Sequence, residues 1–306
     1  MIQSQLALIQ RELWEHRSIY TVPVVVAILM THVTLTGQVS VDNMRHIDFG
    51  IVGASNIPEG ARAAVMSGIM ISVSTTFIFV MWILTAFYAL DALYAERKDR
   101  SILFWRSIPV TDFETVLSKL LTSMIVIPLV TFVMIVLTHL AVMTLTSIWV
   151  AVRGGDAWHL IWSSAPFFDN WTATLVVLLA LPLWLSPFIG WFLFVSALTK
   201  RSPFLTASLP LVVLPLLEKM IFNSSLFAEA FFVRSVRMPL FKDLATMERL
   251  FEDAESISDL GDAKLSILGL MDLGGFVTNP GLWLGLIVCG LLIAAAIYVR
   301  RYRDDS

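Results

Sequence analysis

Residues 120–152, LLTSMIVIPLVTFVMIVLTHLAVMTLTSIWVAV, decide the fold, because thirty-three consecutive residues carry no ionised side chain. A helix that crosses the hydrocarbon core of a bilayer needs roughly 20 mostly apolar residues. At about 1.5 Å per residue, this run would reach about 50 Å, which exceeds the thickness of that core. We therefore predict a membrane-spanning helix that tilts, kinks near Pro128 or extends past the bilayer.

The composition of the whole chain also indicates a membrane protein. Of its 306 residues, 57% are apolar and 15% are charged, whereas soluble proteins carry roughly 25% charged residues. Lipid must therefore solvate much of the surface. The single cysteine, Cys289, excludes an internal disulfide and a multi-cysteine metal site. The first eighteen residues are polar and amphipathic, so we expect no cleaved signal peptide.

Five further apolar runs approach span length, which predicts an all-α membrane protein with six transmembrane helices. The predicted spans cover residues 19–39, 65–90, 120–152, 172–198, 203–222 and 281–299. The fifth run meets Glu218 and Lys219 after only fifteen uncharged residues, so we expect it to end near Phe222 with this charged pair close to the interface. Neither repeats nor low-complexity linkers interrupt the chain, so we expect a single transmembrane domain over residues 1–306.

Two other segments are amphipathic without being long enough to span. In residues 1–18, apolar side chains recur at helical spacing, at Ile2, Leu6, Ile9 and Leu13. This stripe predicts an N-terminal helix that lies in the membrane interface. In residues 223–280, a second stripe, Leu240, Leu244, Met247, Leu250 and Phe251, predicts a helical external segment between the fifth and sixth spans, folded against the membrane, a partner or its own neighbours in the chain.

The distribution of lysine and arginine predicts the orientation, because cytoplasmic connections carry an excess of them. The chain ends and connections on one side of the membrane carry twelve lysines and arginines, at positions 11, 17, 97, 98, 100, 106, 119, 200, 201, 300, 301 and 303. The short loops on the other side carry only Arg45, Arg62 and Arg153. We therefore expect both termini in the cytoplasm and a multi-pass protein of the cytoplasmic (inner) membrane.

Sequence motifs for chemistry are sparse. A phosphate-binding loop needs a glycine before its lysine, and none of the six lysines has one. His32 and His139 lie within predicted spans, where they are candidates for haem ligands, a proton relay, helix–helix hydrogen bonds or pore-lining polar groups. We predict no catalytic, cofactor-binding or metal-binding residue in the chain, and no nucleic-acid partner.

The connection over residues 91–115 carries the most information. Thr111 and Glu114 have the spacing of a capping box, which predicts that the third spanning helix begins outside the membrane. Before it lies an apolar block, residues 102–105, inside an otherwise charged loop. This block either dips into the membrane interface or docks into a groove of another protein.

This loop resembles the signature of ABC-2 type transporter permeases. The similarity lies in an acidic-basic pair, a hydroxyl residue, the apolar block, a Pro-Val turn and a lysine early in the next helix, here Glu96-Arg97, Ser101, residues 102–105, Pro109-Val110 and Lys119. The amphipathic N-terminal segment with Glu12 and Arg17, the six spans and the external segment also agree with that family, so the resemblance covers nearly the whole chain. Departures are Asp99-Arg100, where many members have a glycine, and the length of the external segment.

The resemblance implies a transport subunit without an ATPase site of its own. It implies two copies of a separate ATPase subunit, which bind the ATP, and a second permease copy, most simply as a homodimer. The sparse charge in the spans favours export of a hydrophobic or amphipathic substrate. The residues expected to couple to the ATPase are Glu96, Arg97, Arg100, Ile102, Leu103, Phe104, Trp105 and Arg106.

Two alternatives remain open beside the permease. One is a membrane-embedded haem or redox subunit, or another enzyme subunit, that uses His32 and His139. The other is a scaffold that binds an ATPase without moving a substrate. The external segment, residues 223–280, is also a candidate site for an external partner.

Overall fold

The computed structural model of the chain describes residues 2–36, 59–99, 110–152, 154–242 and 266–302. These residues are almost entirely helical. Short helical turns at Trp158–Trp162 and Leu268–Leu270 and an isolated antiparallel bridge between Phe241 and Met271 add to the main helices. The main helices are α1 (Ile2–Glu15), α2 (Ser18–Thr36), α3 (Glu59–Lys98), α4 (Asp112–Val152), α5 (Phe167–Trp184), α6 (Ser186–Leu198), α7 (Pro203–Phe222), α8 (Leu226–Val236), α9 (Leu273–Thr278) and α10 (Pro280–Tyr302).

Five helices, α3, α4, α5, α7 and α10, are long and apolar enough to cross a membrane. The predicted all-α membrane class is thereby confirmed. The predicted first span forms α2, but its described apolar part, Ser18–Val33, is shorter than a full span. The count of six therefore stays a prediction. The predicted fifth span is confirmed as α7, and it ends at Phe222 as expected.

The long third span passes Pro128 without breaking. Proline lacks the N–H that an α-helix needs, and its ring collides with the carbonyl four residues earlier. The turn before it, Thr122–Val126, widens into a π-helix, in which Ile127 N–H donates to the Thr122 carbonyl. The 41 residues of α4 are about 60 Å long, about twice the thickness of the hydrocarbon core, so α4 must tilt or extend past the bilayer.

The prediction of one continuous span over residues 172–198 is wrong, because the helix breaks at Leu185. Pro187 has no N–H to continue the hydrogen-bond ladder. Phe188 N–H then donates to the Leu185 carbonyl at 3.0 Å, and the carbonyl of Trp184 accepts from Arg234 instead. The result is two helices, of which α5 alone has the length of a span.

The core lies where α6 packs against α10, α3 and α4. Gly190 of α6 faces Cys289 of α10, and a Cβ at Gly190 would lie 3.1 Å from both the Cα and the Sγ of Cys289. The absence of a side chain therefore permits this close approach. By contrast, only 6% of the most apolar stretch of α7 is buried within the chain, against 28–39% of the corresponding stretches in the other four long helices. Most of α7 is thus available to lipid or to another chain.

The described part of the external segment contains the helices α8 and α9, as predicted, but residues 237–242 are not helical, and Leu240 lies in a turn. α8 begins at Leu226, where Glu218 accepts hydrogen bonds from the amides of Leu226 and Phe227 at 2.8 and 2.9 Å. Leu240, the first residue of the predicted stripe, is fully buried. The remaining stripe residues, Leu244, Met247, Leu250 and Phe251, lie outside the described residues.

Candidate functional site

The candidate site lies where the chain leaves α3 at Lys98 and enters α4 at Asp112, so residues 91–98 and 112–115 of the predicted loop are helical. The predicted capping box at the start of α4 is confirmed, since Glu114 N–H donates to Thr111 Oγ1 at 3.2 Å and Thr111 N–H donates to Glu114 Oε2 at 3.0 Å. Two predicted coupling residues, Glu96 and Arg97, lie in α3. The others lie outside the described residues: Arg100, Ile102, Leu103, Phe104, Trp105 and Arg106.

Glu96 sits at the centre of a buried ion-pair network. Its Oε1 accepts from Arg11 Nη2 at 2.6 Å and lies 3.0 Å from Lys119 Nζ. Its Oε2 accepts from Arg300 Nη1 at 2.6 Å. Only 4% of the Glu96 side chain is exposed. One carboxylate therefore joins α3 to α1, α4 and α10.

Two further acids complete the network. Lys119, which is fully buried, donates to Glu12 Oε1 at 2.8 Å, and the hydroxyl of Tyr88 donates to Glu12 Oε2 at 2.7 Å. Arg300 Nε donates to Asp112 Oδ1 at 2.9 Å. Arg300 thus connects the last turns of α3 to the first turn of α4, so the two ends of the loop share a cation.

The charges in this network balance when the more exposed Glu15 is left out. Arg11 also pairs with the more exposed Glu15 at 2.9 Å. Although burial acts to lower the pKa of Arg11, Glu15 and Glu96 together hold it above its ordinary value. A buried charge is tolerated only when it is paired in this way. Three carboxylates, Glu12, Glu96 and Asp112, face three cations, Arg11, Lys119 and Arg300.

Arg97 makes its described contacts within the chain. Its guanidinium donates to the carbonyls of Ser196, through a short hydrogen bond, and of Thr199, at 2.8 Å. The hydroxyl of Ser196 in turn accepts from the amides of Leu93 and Tyr94 at 3.0 Å each. These contacts fasten the end of α3 to the end of α6. The roles of Glu96 and Arg97 in coupling stay predictions.

A second polar centre fills the break between α5 and α6. Arg234 of α8 donates through Nε to the Trp184 carbonyl at 2.8 Å and through Nη1 to the Gly281 carbonyl at 2.5 Å. Its guanidinium lies 4.1 Å from the centroid of the Trp184 ring, and burial lowers its pKa. A Cβ at Gly285 would collide with Nη2 of Arg234. The Gly281/Gly285 pair therefore accommodates a side chain of α8.

His139 is held by two hydrogen bonds within the chain. Trp171 Nε1–H donates to His139 Nδ1 at 3.1 Å, which leaves the proton on Nε2, and Nε2 lies 3.1 Å from the Met70 carbonyl. Axial ligation of a haem needs one of these nitrogens. This geometry favours the helix–helix hydrogen bond over the haem ligand for His139.

Sequence reasoning missed Arg11 and Arg300 as partners of Glu96, although all three residues were visible. Their separations from Glu96, 85 and 204 residues, leave no local pattern to detect. The available signal was electrostatic: an ionised side chain beside an apolar run requires a partner. Lys119, next to the apolar run of α4, was such a residue.

Comparison of the chain with protein-family models and with curated proteins finds no match. The geometry of the site therefore carries the functional argument.

Proposed function

We propose that the chain is the permease subunit of an ATP-driven ABC transporter of the ABC-2 type and exports a hydrophobic or amphipathic substrate. The observation that supports this most is the Glu96 network at the base of the 91–115 loop. It connects both ends of the loop, in α3 and α4, to two other helices, α1 and α10, through charges that are largely buried and paired. A push on the loop would therefore move these helices together.

The physical reason lies in the cost of separating buried charges. Removing one partner from a buried ion pair costs about 3–5 kcal/mol, because the remaining charge is left uncompensated in a medium of low polarity. The Glu96 network contains several such pairs, and their separation would be more costly than a rigid displacement of the helix ends. A loop anchored in this way transmits force into α3 and α4 instead of bending at its own base.

The proposal includes two ATPase subunits, which bind ATP, and a second copy of this chain. Each permease copy would present its loop to one ATPase subunit, and a pair of equal contacts calls for two-fold symmetry. The sparsely covered surface of α7 is available for contact with the second copy. Both termini and the 91–115 loop lie in the cytoplasm in this arrangement, in accordance with the distribution of lysine and arginine.

The apolar block of the loop provides the test. We expect the double variant Phe104→Ala, Trp105→Ala to weaken association with the ATPase by at least tenfold, or about 1.4 kcal/mol, because buried aromatic anchors dominate such contacts. The association is measured by titrating the ATPase against permease in lipid nanodiscs. A Lys98→Ala variant, at an exposed position that is not among the expected coupling residues, is the matched control and should retain binding.

Two outcomes would contradict the proposal. Undiminished ATPase binding by the double variant would remove the role of the apolar block and favour its insertion into the membrane interface. ATPase binding with hydrolysis that never moves a substrate would favour the scaffold. Melting curves of both variants establish that the spans remain folded.

A further inference from the structure

A groove opens on the side of the chain between α2, α3 and the start of α7. Its volume is about 470 Å³, within the range of about 300–1,000 Å³ that small-molecule sites occupy. One face of α3 supplies most of the lining, from Val80 to Tyr94, and Phe204 of α7 closes one side. None of the residues described above as part of the Glu96 network supplies a charge to this groove.

The groove is apolar over most of its length. Leu84 and Leu90 are buried in its floor, while Phe87 and Phe204 remain more than half exposed on its walls. The rings of Phe87 and Phe204 stack at 6.2 Å between centroids. The distance from Val80 to Asp91 along α3 is about 16 Å at 1.5 Å per residue. These dimensions fit a single alkyl chain of medium length.

One end of the groove is polar and carries a negative charge. Asp91 is exposed there, and it forms no hydrogen bond or ion pair with the residues that the structure describes. The other polar lining groups are His16, Ser18 and the hydroxyls of Tyr88 and Tyr94.

None of these polar groups forms a hydrogen bond or an ion pair with Asp91, although the Asp91 charge acts on the His16 ring. Burial lowers the pKa of His16, although the charges of Glu12 and Asp91 act to raise it. Tyr94 donates its hydroxyl proton to the Arg201 carbonyl at 2.7 Å, and Tyr88 donates to Glu12. The described lining contains neither lysine nor arginine.

We propose that this groove binds a single-chain amphipathic amine, with the alkyl chain against Phe87 and Phe204 and the ammonium group beside Asp91. The carboxylate selects the headgroup, since an ammonium forms a charge-assisted hydrogen bond with it. A phosphate or carboxylate headgroup would meet a like charge at the same place. A neutral headgroup would gain no ion pair there.

Photolabelling of the full chain in phosphatidylcholine nanodiscs tests the charge requirement. Three probes share a dodecyl chain with a diazirine and differ in their headgroups: an amine, an alcohol and a carboxylate. We expect the amine probe to label residues 80–94 and 203–204 and unlabelled dodecylamine to compete with it. The apparent affinity of the amine should be about tenfold higher than that of the alcohol, a difference of about 1.4 kcal/mol. Equal labelling by all three probes would overturn the proposal, because it would show a groove filled by lipid chains without selection.

Variants of Asp91 give an independent measurement. Asp91→Asn should lower the apparent affinity for the amine about tenfold and leave labelling by the alcohol unchanged. Asp91→Glu keeps the charge and should retain most of the binding. Asp99→Asn removes an exposed carboxylate just beyond α3 and serves as the matched control. Unchanged affinity in Asp91→Asn would overturn the proposal.

The identification of the bound amine as cargo rests on the proposed transport function, whereas its binding does not. The labelling contains no ATPase, so a failure to label overturns the amine site and leaves the proposed coupling intact. Selective labelling together with undiminished ATPase binding by the Phe104, Trp105 double variant would overturn the coupling alone.

Discussion

The two polar centres of the molecule are built on different physics. Around Glu96, carboxylates and cations from four helices meet at 2.6–3.0 Å and balance each other. At the break between α5 and α6, one guanidinium, Arg234, is held by carbonyl dipoles and an aromatic ring. The ion pairs of the first centre strongly resist separation of its helices. Separating the helices at the second centre would break only hydrogen bonds to carbonyls and one contact with an aromatic ring. We infer that the helices move as a unit at the Glu96 end and separate more readily at the Arg234 end.

The largest expected effect is the loss of the central carboxylate. Glu96→Gln leaves Arg11, Lys119 and Arg300 without a shared counter-charge and should lower the free energy of unfolding by about 3–5 kcal/mol. Glu15→Gln removes a half-exposed partner of Arg11 and should cost less than about 1 kcal/mol. Reversible unfolding by dodecyl sulfate in mixed micelles measures both. Equal losses in the two variants would show that the buried pairs of Glu96 are no more costly to break than the exposed pair of Glu15.

An intermediate effect is expected at the α5–α6 break. Gly285→Ala places a methyl group against Nη2 of Arg234, and such overpacking typically costs about 1–3 kcal/mol. Gly290→Ala is the matched control, because a Cβ there meets nothing within 4 Å. Alanine should instead stabilise that position by about 0.5–1 kcal/mol through its higher helix propensity. If the same unfolding assay shows both alanines to be harmless, Arg234 is not held as tightly as its contacts indicate.

The contrast between the centres also explains what the sequence predicts and what it leaves open. The length of its apolar run predicts that α4 can span a membrane, and the spacing of Thr111 and Glu114 predicts the capping box. Both predictions succeed because they depend only on residues that are close in the sequence. The break at Leu185 was missed, although Pro187 was visible, since prolines bend many helices without breaking them. Whether this one breaks the helix depends on Arg234, which satisfies the freed carbonyl from 50 residues away.

Long-range electrostatics limited prediction of the site for the same reason. The sequence motif includes Lys119, but it does not reveal that Glu12 and Glu96 are the buried carboxylates that pair with this lysine. Charge balance determines that partners exist, but only the packing of α1, α3, α4 and α10 determines which residues they are. The predicted coupling residues 102–105 lie outside the described residues, so their role depends on the association experiment.

The smallest expected effect concerns a neutral hydrogen bond, that of Trp171 to His139. Hydrogen bonds between helices in a membrane contribute about 0.6 kcal/mol on average, because the unfolded chain in the membrane finds other partners. Trp171→Phe removes the N–H donor and keeps an aromatic ring, so it should lower the free energy of unfolding by about that amount, well below the effect of Glu96→Gln.

The same Trp171 variant tests the haem alternative. If His139 serves only as a hydrogen-bond partner, a His139→Phe, Trp171→Phe cycle should give a coupling energy of about 0.6 kcal/mol, and purified protein should show no Soret band. A haem ligand predicts a Soret band that His139→Phe abolishes and Trp171→Phe retains. That result would assign His139 to a redox centre instead of to helix packing. A coupling energy as large as that of a buried ion pair would instead show that charge is not what distinguishes the Glu96 network.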